Sequence, residues 1–244
     1  MRKYFLGYRL ANEAYLRDPP TDRPPLFFVA DPEYATILGP DWPVVLLPAW
    51  PMMRDETVDA AADEYLSYVE RLQPSGPYLF GGYCNAGWIA HEMARRLIAR
   101  GEQVALLAIV EPAHTRMAAP MRLARRIAQM FGDPASFFRW PTVAMRDRLR
   151  KMQEADWAPD DYKVRPYAGP VELICARESP ARYFPRFGWS RDVEGPVSVY
   201  RANGDHDTVL VDPSLRAILL KLIGERGPFA PIAAKRSAEA AAGS

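Results

Sequence analysis

Residues 78 to 87 read Tyr78-Leu79-Phe80-Gly81-Gly82-Tyr83-Cys84-Asn85-Ala86-Gly87. The run from Pro77 to Gly81 is short and apolar, as a buried parallel strand requires. Beyond it, Ala86, Ala90, Met93 and Leu97 recur at helical spacing, Arg95, Arg96 and Arg100 fall late in that stretch, and Gly101 ends it. A strand, a sharp turn and a helix are therefore predicted in that order, with Cys84 at the tip of the turn. Such a nucleophile elbow needs small residues on either side of the attacking group, because the turn presses its backbone against strand and helix. Gly82 and Ala86 meet that demand in the pattern G-x-C-x-A. A free cysteine ordinarily behaves as a small buried hydrophobe. The flanking glycines and the strand-to-helix context favour a nucleophile here.

The rest of the chain fits one α/β domain. Its 244 residues are enough to bury a full core, with room for a modest insertion. Hydrophobic residues make up 49% and the formal net charge is +1, which speaks against a nucleic-acid binder, a membrane protein or a disordered chain. The two cysteines, Cys84 and Cys175, fall in separate predicted core segments without metal-ligand spacing. That points to a reducing compartment, the cytoplasm, and to neither a metal site nor a disulfide framework. Arg2 and Lys3 precede no sustained apolar run, and no stretch of about eighteen apolar residues occurs. Neither secretion nor membrane spanning is expected.

Outward from the elbow, residues 1–24 read as a polar, proline-rich lead-in that packs late or stays mobile. Strands are predicted at Leu26 to Ala30, Val44 to Leu47, Tyr78 to Gly82, Val104 to Val110, Val171 to Ala176 and Val197 to Tyr200. Helices are predicted at Glu56 to Leu72, after the elbow, and at Leu215 to Ile223. Strands separated by helical segments build a mostly parallel sheet, with ligands at the carboxyl ends of its strands. The domain is set at residues 25–227, and residues 228–244 read as a flexible, alanine-rich C-terminal tail. Residues 114–163 interrupt the alternation with helical pieces broken by Pro120, Pro134, Pro141 and Pro159. They are expected to form a helical insertion capping the site. From His114 through Lys151 that insertion holds nine basic residues, Arg122, Arg125, Arg126, Arg146, Arg148 and Arg150 among them, against two acidic ones, Asp133 and Asp147. Such a run is either a solvated helical face or a docking surface for an acidic or phosphate-bearing partner.

A thiol attacks as thiolate, so it needs a base, and the base needs an orienting acid. Three histidines are available. His91 lies two helical turns beyond Cys84, and His114 opens the insertion close in sequence to Glu111. His206, in Asn203-Gly204-Asp205-His206-Asp207, sits between the final strand and final helix, where the chain order nucleophile, acid, histidine puts the base. Two carboxylates compete to orient it, Glu111 after the strand that follows the elbow helix and Glu178 after the next strand. The backbone N–H of Asn85 is expected to hold an oxyanion, together with one from the loop after the first strand. That loop reads Ala30-Asp31-Pro32-Glu33-Tyr34, without glycines, and Pro32 has no N–H to give. Asp31 is the nominated second donor.

With these residues in place, the chain from about Pro25 to Glu225 resembles the thioesterase domains of nonribosomal peptide and polyketide synthases, in a cysteine-nucleophile variant. Tyr78 to Arg96, Ala105 to Pro112 and Tyr167 to Leu210 carry the likeness. The resemblance implies an α/β-hydrolase fold, a mostly parallel central sheet with a helical lid insertion. It also implies a Cys84-His206-Glu111 triad, since the family's acid commonly ends the strand after the elbow helix. Glu stands where Asp is usual, and the oxyanion loop lacks the family's glycines. No bound cofactor is implied. The substrate would be a thioester on the 4′-phosphopantetheine arm of an acyl or peptidyl carrier protein, which gives the basic insertion a docking role.

The activity expected on this resemblance is transfer of an acyl or aminoacyl group onto Cys84 and then to a carrier thiol, an amine, a hydroxyl or water. An acyl-cysteine keeps thioester energy, which favours passage to a second acceptor over hydrolytic editing or product release. A small-molecule esterase and a non-catalytic binding module on the same fold are the competing readings.

Overall fold

The computed structural model describes residues 8–13, 23–49, 57–113, 162–179 and 189–226. Six parallel strands, β1 (Leu26–Ala30), β2 (Val44–Pro48), β3 (Tyr78–Tyr83), β4 (Val104–Val110), β5 (Val171–Ala176) and β6 (Val197–Ala202), form one sheet in the order β2-β1-β3-β4-β5-β6. Successive residues of each strand face opposite sides, so the sheet sorts its apolar residues into two cores. Phe27, Val29, Phe80, Leu107, Ile109 and Leu173 lie on one face, beneath α1 (Val58–Leu72) and α2 (Gly87–Ala99). Leu26, Phe28, Leu79, Ala108 and Ile174 lie on the other, beneath α4 (Pro213–Arg226). Between β5 and β6 the four-residue helix α3 (Trp189–Asp192) stacks Trp189 flat on Trp88, with ring centroids 4.3 Å apart. Each fully buried aromatic such as Phe27, Phe28 or Phe80 contributes on the order of 2 to 3 kcal/mol by leaving water.

Strand order reverses between β1 and β3, the outer strand β2 lying to one side and β4 to β6 to the other. At such a reversal the loops leaving neighbouring strands diverge to opposite faces and open a crevice at the carboxyl edge. Asp31 and Cys84 leave the sheet on the two sides of that crevice.

Several boundaries differ from expectation for local reasons. The first helix starts at Val58, because the Thr57 side chain accepts a hydrogen bond from Ala60 N and fixes the cap there. Strands β2, β3 and β6 run on to Pro48, Tyr83 and Ala202, and the closing helix spans Pro213–Arg226. Residues 8–11 of the lead-in are helical and docked. The hydroxyl of buried Tyr8 donates to Ala30 O at 2.8 Å, and the amide of Asn12 donates to Leu46 O at 2.9 Å while accepting from Leu46 N at 2.7 Å. Asn12 thereby pairs the outer edge of β2 as another strand would. The helical insertion expected at 114–163 lies outside the described residues from 114 to 161, and with it His114 and the basic residues Arg122, Arg125, Arg126, Arg146, Arg148 and Arg150. The tail at 228–244 lies outside them as well. Among the described residues, no helix is long and apolar enough to cross a membrane.

Candidate active site

The elbow forms where the glycines demand it. A Cβ on Gly82 would come within 2.8 Å of Gly87 Cα, and one on Gly87 within 2.6 Å of Ile109 Cγ2. Only bare backbone lets β3, the turn and α2 approach so closely. Cys84 then takes φ +52°, the left-handed region that non-glycine residues rarely occupy. The turn continues as a short 3-10 segment, Cys84–Ala86, into α2. Asn85 stands at the helix entrance, where backbone N–H groups lack partners within the helix and the positive end of the dipole favours an anion.

Strand register brings the other groups to the same edge. Tyr83 pairs with Val110, so the next residues, Cys84 and Glu111, leave adjacent strands side by side. Glu111 also has positive φ, +49°, and its side chain is 1% exposed. Its Oε1 accepts from Ala176 N at 2.6 Å, and its Oε2 lies 3.2 Å from Nδ1 of His206. A carboxylate there fixes Nδ1 as the protonated nitrogen and leaves Nε2 as the basic one. His206 reaches this point from the turn after β6, in which Asp205 Oδ1 accepts from the backbone N–H groups of Asp207 and Thr208. Of the two competing acids, Glu111 faces the imidazole, whereas Glu178 is exposed and supports the same turn through its backbone, donating to Gly204 O at 3.1 Å.

Continuing the Val29-to-Gly82 register by two residues sets Asp31 beside Cys84 across the crevice. Asp31 has extended backbone and caps the 3-10 turn Pro32–Tyr34. Burial, the nearby Glu33 charge and the Tyr8 hydroxyl act on its carboxyl, with a net upward shift. Tyr8, which sequence reasoning passed over, secures this loop through Ala30 O.

His91 is packed well away from this constellation. It is fully buried, and burial pushes its imidazole down to about 4. The Tyr162 hydroxyl donates to Glu92 Oε2 at 3.2 Å and lies 3.2 Å from His91 Nδ1. Nδ1 must then be the donor and Nε2 the bare acceptor, which has no hydrogen-bond partner among the described residues. Burial opposes the charge of Glu92, but hydrogen bonds from Arg95 and Arg96 outweigh it and hold the carboxyl at about 2. Cys175 is a buried core thiol, pushed up to about 12 by desolvation. Among the described residues no group of three or more His, Cys, Asp or Glu could hold a metal ion.

A parallel sheet, a strained cysteine at the tip of a strand-to-helix turn, and a histidine paired with a strand-end carboxylate define the α/β-hydrolase class. Residues 51–223 match the thioesterase domain family model, and the chain belongs to that family. It is 25% identical over 215 residues to chondramide synthase of Chondromyces crocatus, and 32% identical over 106 residues to N-(5-amino-5-carboxypentanoyl)-L-cysteinyl-D-valine synthase of Penicillium chrysogenum. Those alignments cover 66% and 40% of this chain, but the chain spans only 5% and 3% of the two synthases. The fold is similar to the NocB thioesterase domain from the nocardicin cluster, with a TM-score of 0.53 at 22% identity, covering 82% of this chain and 93% of that one. It is also similar to the type II thioesterase BorB of the borrelidin cluster, with a TM-score of 0.52 at 17% identity, covering 84% and 94%.

Proposed function

We propose that this chain is a carrier-protein-dependent thioesterase or acyltransferase of nonribosomal peptide or polyketide biosynthesis, with Cys84 as nucleophile. The observation that carries the reading is the hydrogen-bonded His206 and Glu111 on the same sheet edge as the strained Cys84, in a chain of the thioesterase family. His206 Nε2 takes the Cys84 proton, and the thiolate attacks the carbonyl carbon of an acyl group held on a phosphopantetheine sulfur. The N–H groups of Asn85 and Asp31 hold the oxyanion of the tetrahedral intermediate. As it collapses, the bond from carbon to the pantetheine sulfur breaks. His206 returns its proton to that sulfur, and the acyl group remains on Cys84.

The second half repeats the first with a new nucleophile. A thiolate leaves more readily than an alkoxide, and an acyl-cysteine is close in energy to the thioester it came from. Passage to a second carrier thiol is therefore nearly reversible, and passage to an amine, hydroxyl or water runs downhill. This chemistry supports transfer over committed hydrolysis. The partner is assigned on charge: nine basic against two acidic residues from 114 to 151 suit an acidic, phosphate-bearing carrier.

The test is intact-protein mass spectrometry after incubation with a carrier protein loaded with octanoyl-phosphopantetheine. The octanoyl mass should appear on this chain, vanish in Cys84→Ala, and move to a second, unloaded carrier protein when one is added. No adduct on competent wild-type protein, or an adduct that persists in Cys84→Ala, overturns the proposal. Loss of the adduct only to free octanoic acid assigns hydrolysis in place of transfer.

A further inference from the structure

The turn that carries His206 is held on one side by its own residues, by Arg177 after β5 and by Ser214 of α4, and on the other by the elbow. Arg177 Nε donates to Asn203 Oδ1, Asn203 N donates to Ser214 Oγ, and Asp205 ties the turn to Thr208. A further contact ties the turn to the elbow: the Tyr83 hydroxyl donates a short hydrogen bond to the backbone carbonyl of His206, 123 residues away in sequence. The Tyr83 ring lies 5.1 Å from the imidazole, tilted by 37°. Tyr34, from the oxyanion loop, packs against Tyr83 with its ring 6.2 Å away. Desolvation raises the Tyr83 phenol well above its ordinary range, so it remains a donor throughout the working pH range.

We propose that Tyr83 is a positioning residue that sets His206 against Cys84, through its hydrogen bond to the His206 carbonyl and the packing of its ring on the imidazole. The inference rests on the reading of Cys84 and His206 as reacting groups. Glu111 governs which way the ring faces by holding Nδ1, and Tyr83 governs where the ring stands by holding its backbone. Because Tyr83 is bonded directly to Cys84, nucleophile and base share one rigid strand end as their reference. Displacing a reacting group by about 1 Å can cost up to about a hundredfold in rate.

Tyr83→Phe keeps the ring and loses the donor, whereas Tyr83→Leu loses both. With the octanoyl-loaded carrier protein as acyl donor, kcat should fall about tenfold in Tyr83→Phe and further in Tyr83→Leu, with KM within about twofold of wild type. The pH dependence of Cys84 alkylation by iodoacetamide should move toward that of a free thiol in both variants, while the Tm of Tyr83→Phe stays within about 3 °C of wild type. In a His206→Ala background the Tyr83→Phe substitution should have no further effect, since it acts through the absent imidazole. Wild-type kcat in Tyr83→Phe, or a lowered kcat with an unchanged alkylation profile, overturns the proposal. The underlying reading fails separately: His206→Ala would then match wild type in both assays.

Discussion

Two histidines of this chain each place Nδ1 at 3.2 Å from an oxygen, yet their surroundings give them opposite chemistry. His206 faces a carboxylate directly, and its side chain is 35% exposed at the carboxyl edge of the sheet. His91 is fully buried in α2 and faces a phenol, which in turn faces the carboxylate of Glu92. The direct carboxylate stabilises an imidazolium as it forms, whereas the phenol only supplies a lone pair to a neutral ring. Solvent access completes the contrast. A base must exchange its proton in each cycle, and a ring sealed among Trp88, Tyr167 and Trp189 cannot do so.

The comparison breaks most visibly at His206. His206→Ala should lower acyl transfer to Cys84 by roughly a thousandfold, measured as single-turnover acylation; a loss of under tenfold would remove His206 from the chemistry. Glu111→Gln should cost on the order of a hundredfold or more, because an amide holds the wrong tautomer. Glu178→Gln, altering only an exposed side chain, should stay within about twofold. Equal losses in these two variants would erase the distinction between the two strand-end acids.

His91 should instead report through stability. Its folded pKa of about 4 lies below the ordinary 6.5, so in this window the unfolded chain binds a proton that the folded chain refuses. Stability is therefore lost as pH falls from about 6.5 toward about 4, by up to about 1.4 kcal/mol per pH unit. Glu92, Arg95 and Tyr162 surround the ring, and the carboxyl of Glu92 stays charged until about 2. Urea titrations across that range should show the slope, and His91→Leu should flatten it. The smallest expected effect is on activity, where His91→Leu should acylate within about twofold of wild type. A large loss there would make the buried ring part of the site after all.

Much of this was legible because the signals are local. Strand starts at Leu26, Val44, Tyr78, Val104, Val171 and Val197 follow from short apolar runs after prolines or turns. The elbow follows from glycine, cysteine and alanine at fixed offsets. The choice between Glu111 and Glu178 was not contained in the residues themselves, since both follow a strand. Lateral order separates them: β4 lies beside β3, and β5 is one strand further out. The elbow helix also exceeded its pattern, burying Trp88, His91 and Glu92 as well as the predicted apolar stripe. Arg95 and Arg96, three and four residues on, converge on Glu92 together with Arg165, and a charge satisfied in part by a residue 73 positions away leaves no periodic trace. Tyr83, Asn12 and Tyr8 were missed for the same reason. The four-residue helix α3 is too short for any periodicity to mark it.

The grip of Glu111 on two partners ties chemistry to architecture. One oxygen holds the imidazole while the other holds the amide of Ala176, on the neighbouring strand. The carboxylate is thus a rivet through the seam between β4 and β5, and the seam cannot part without releasing the imidazole of His206. Catalytic competence becomes a gauge of sheet integrity: mild denaturant that frays β5 and β6 should silence the enzyme while the other half of the sheet is still folded.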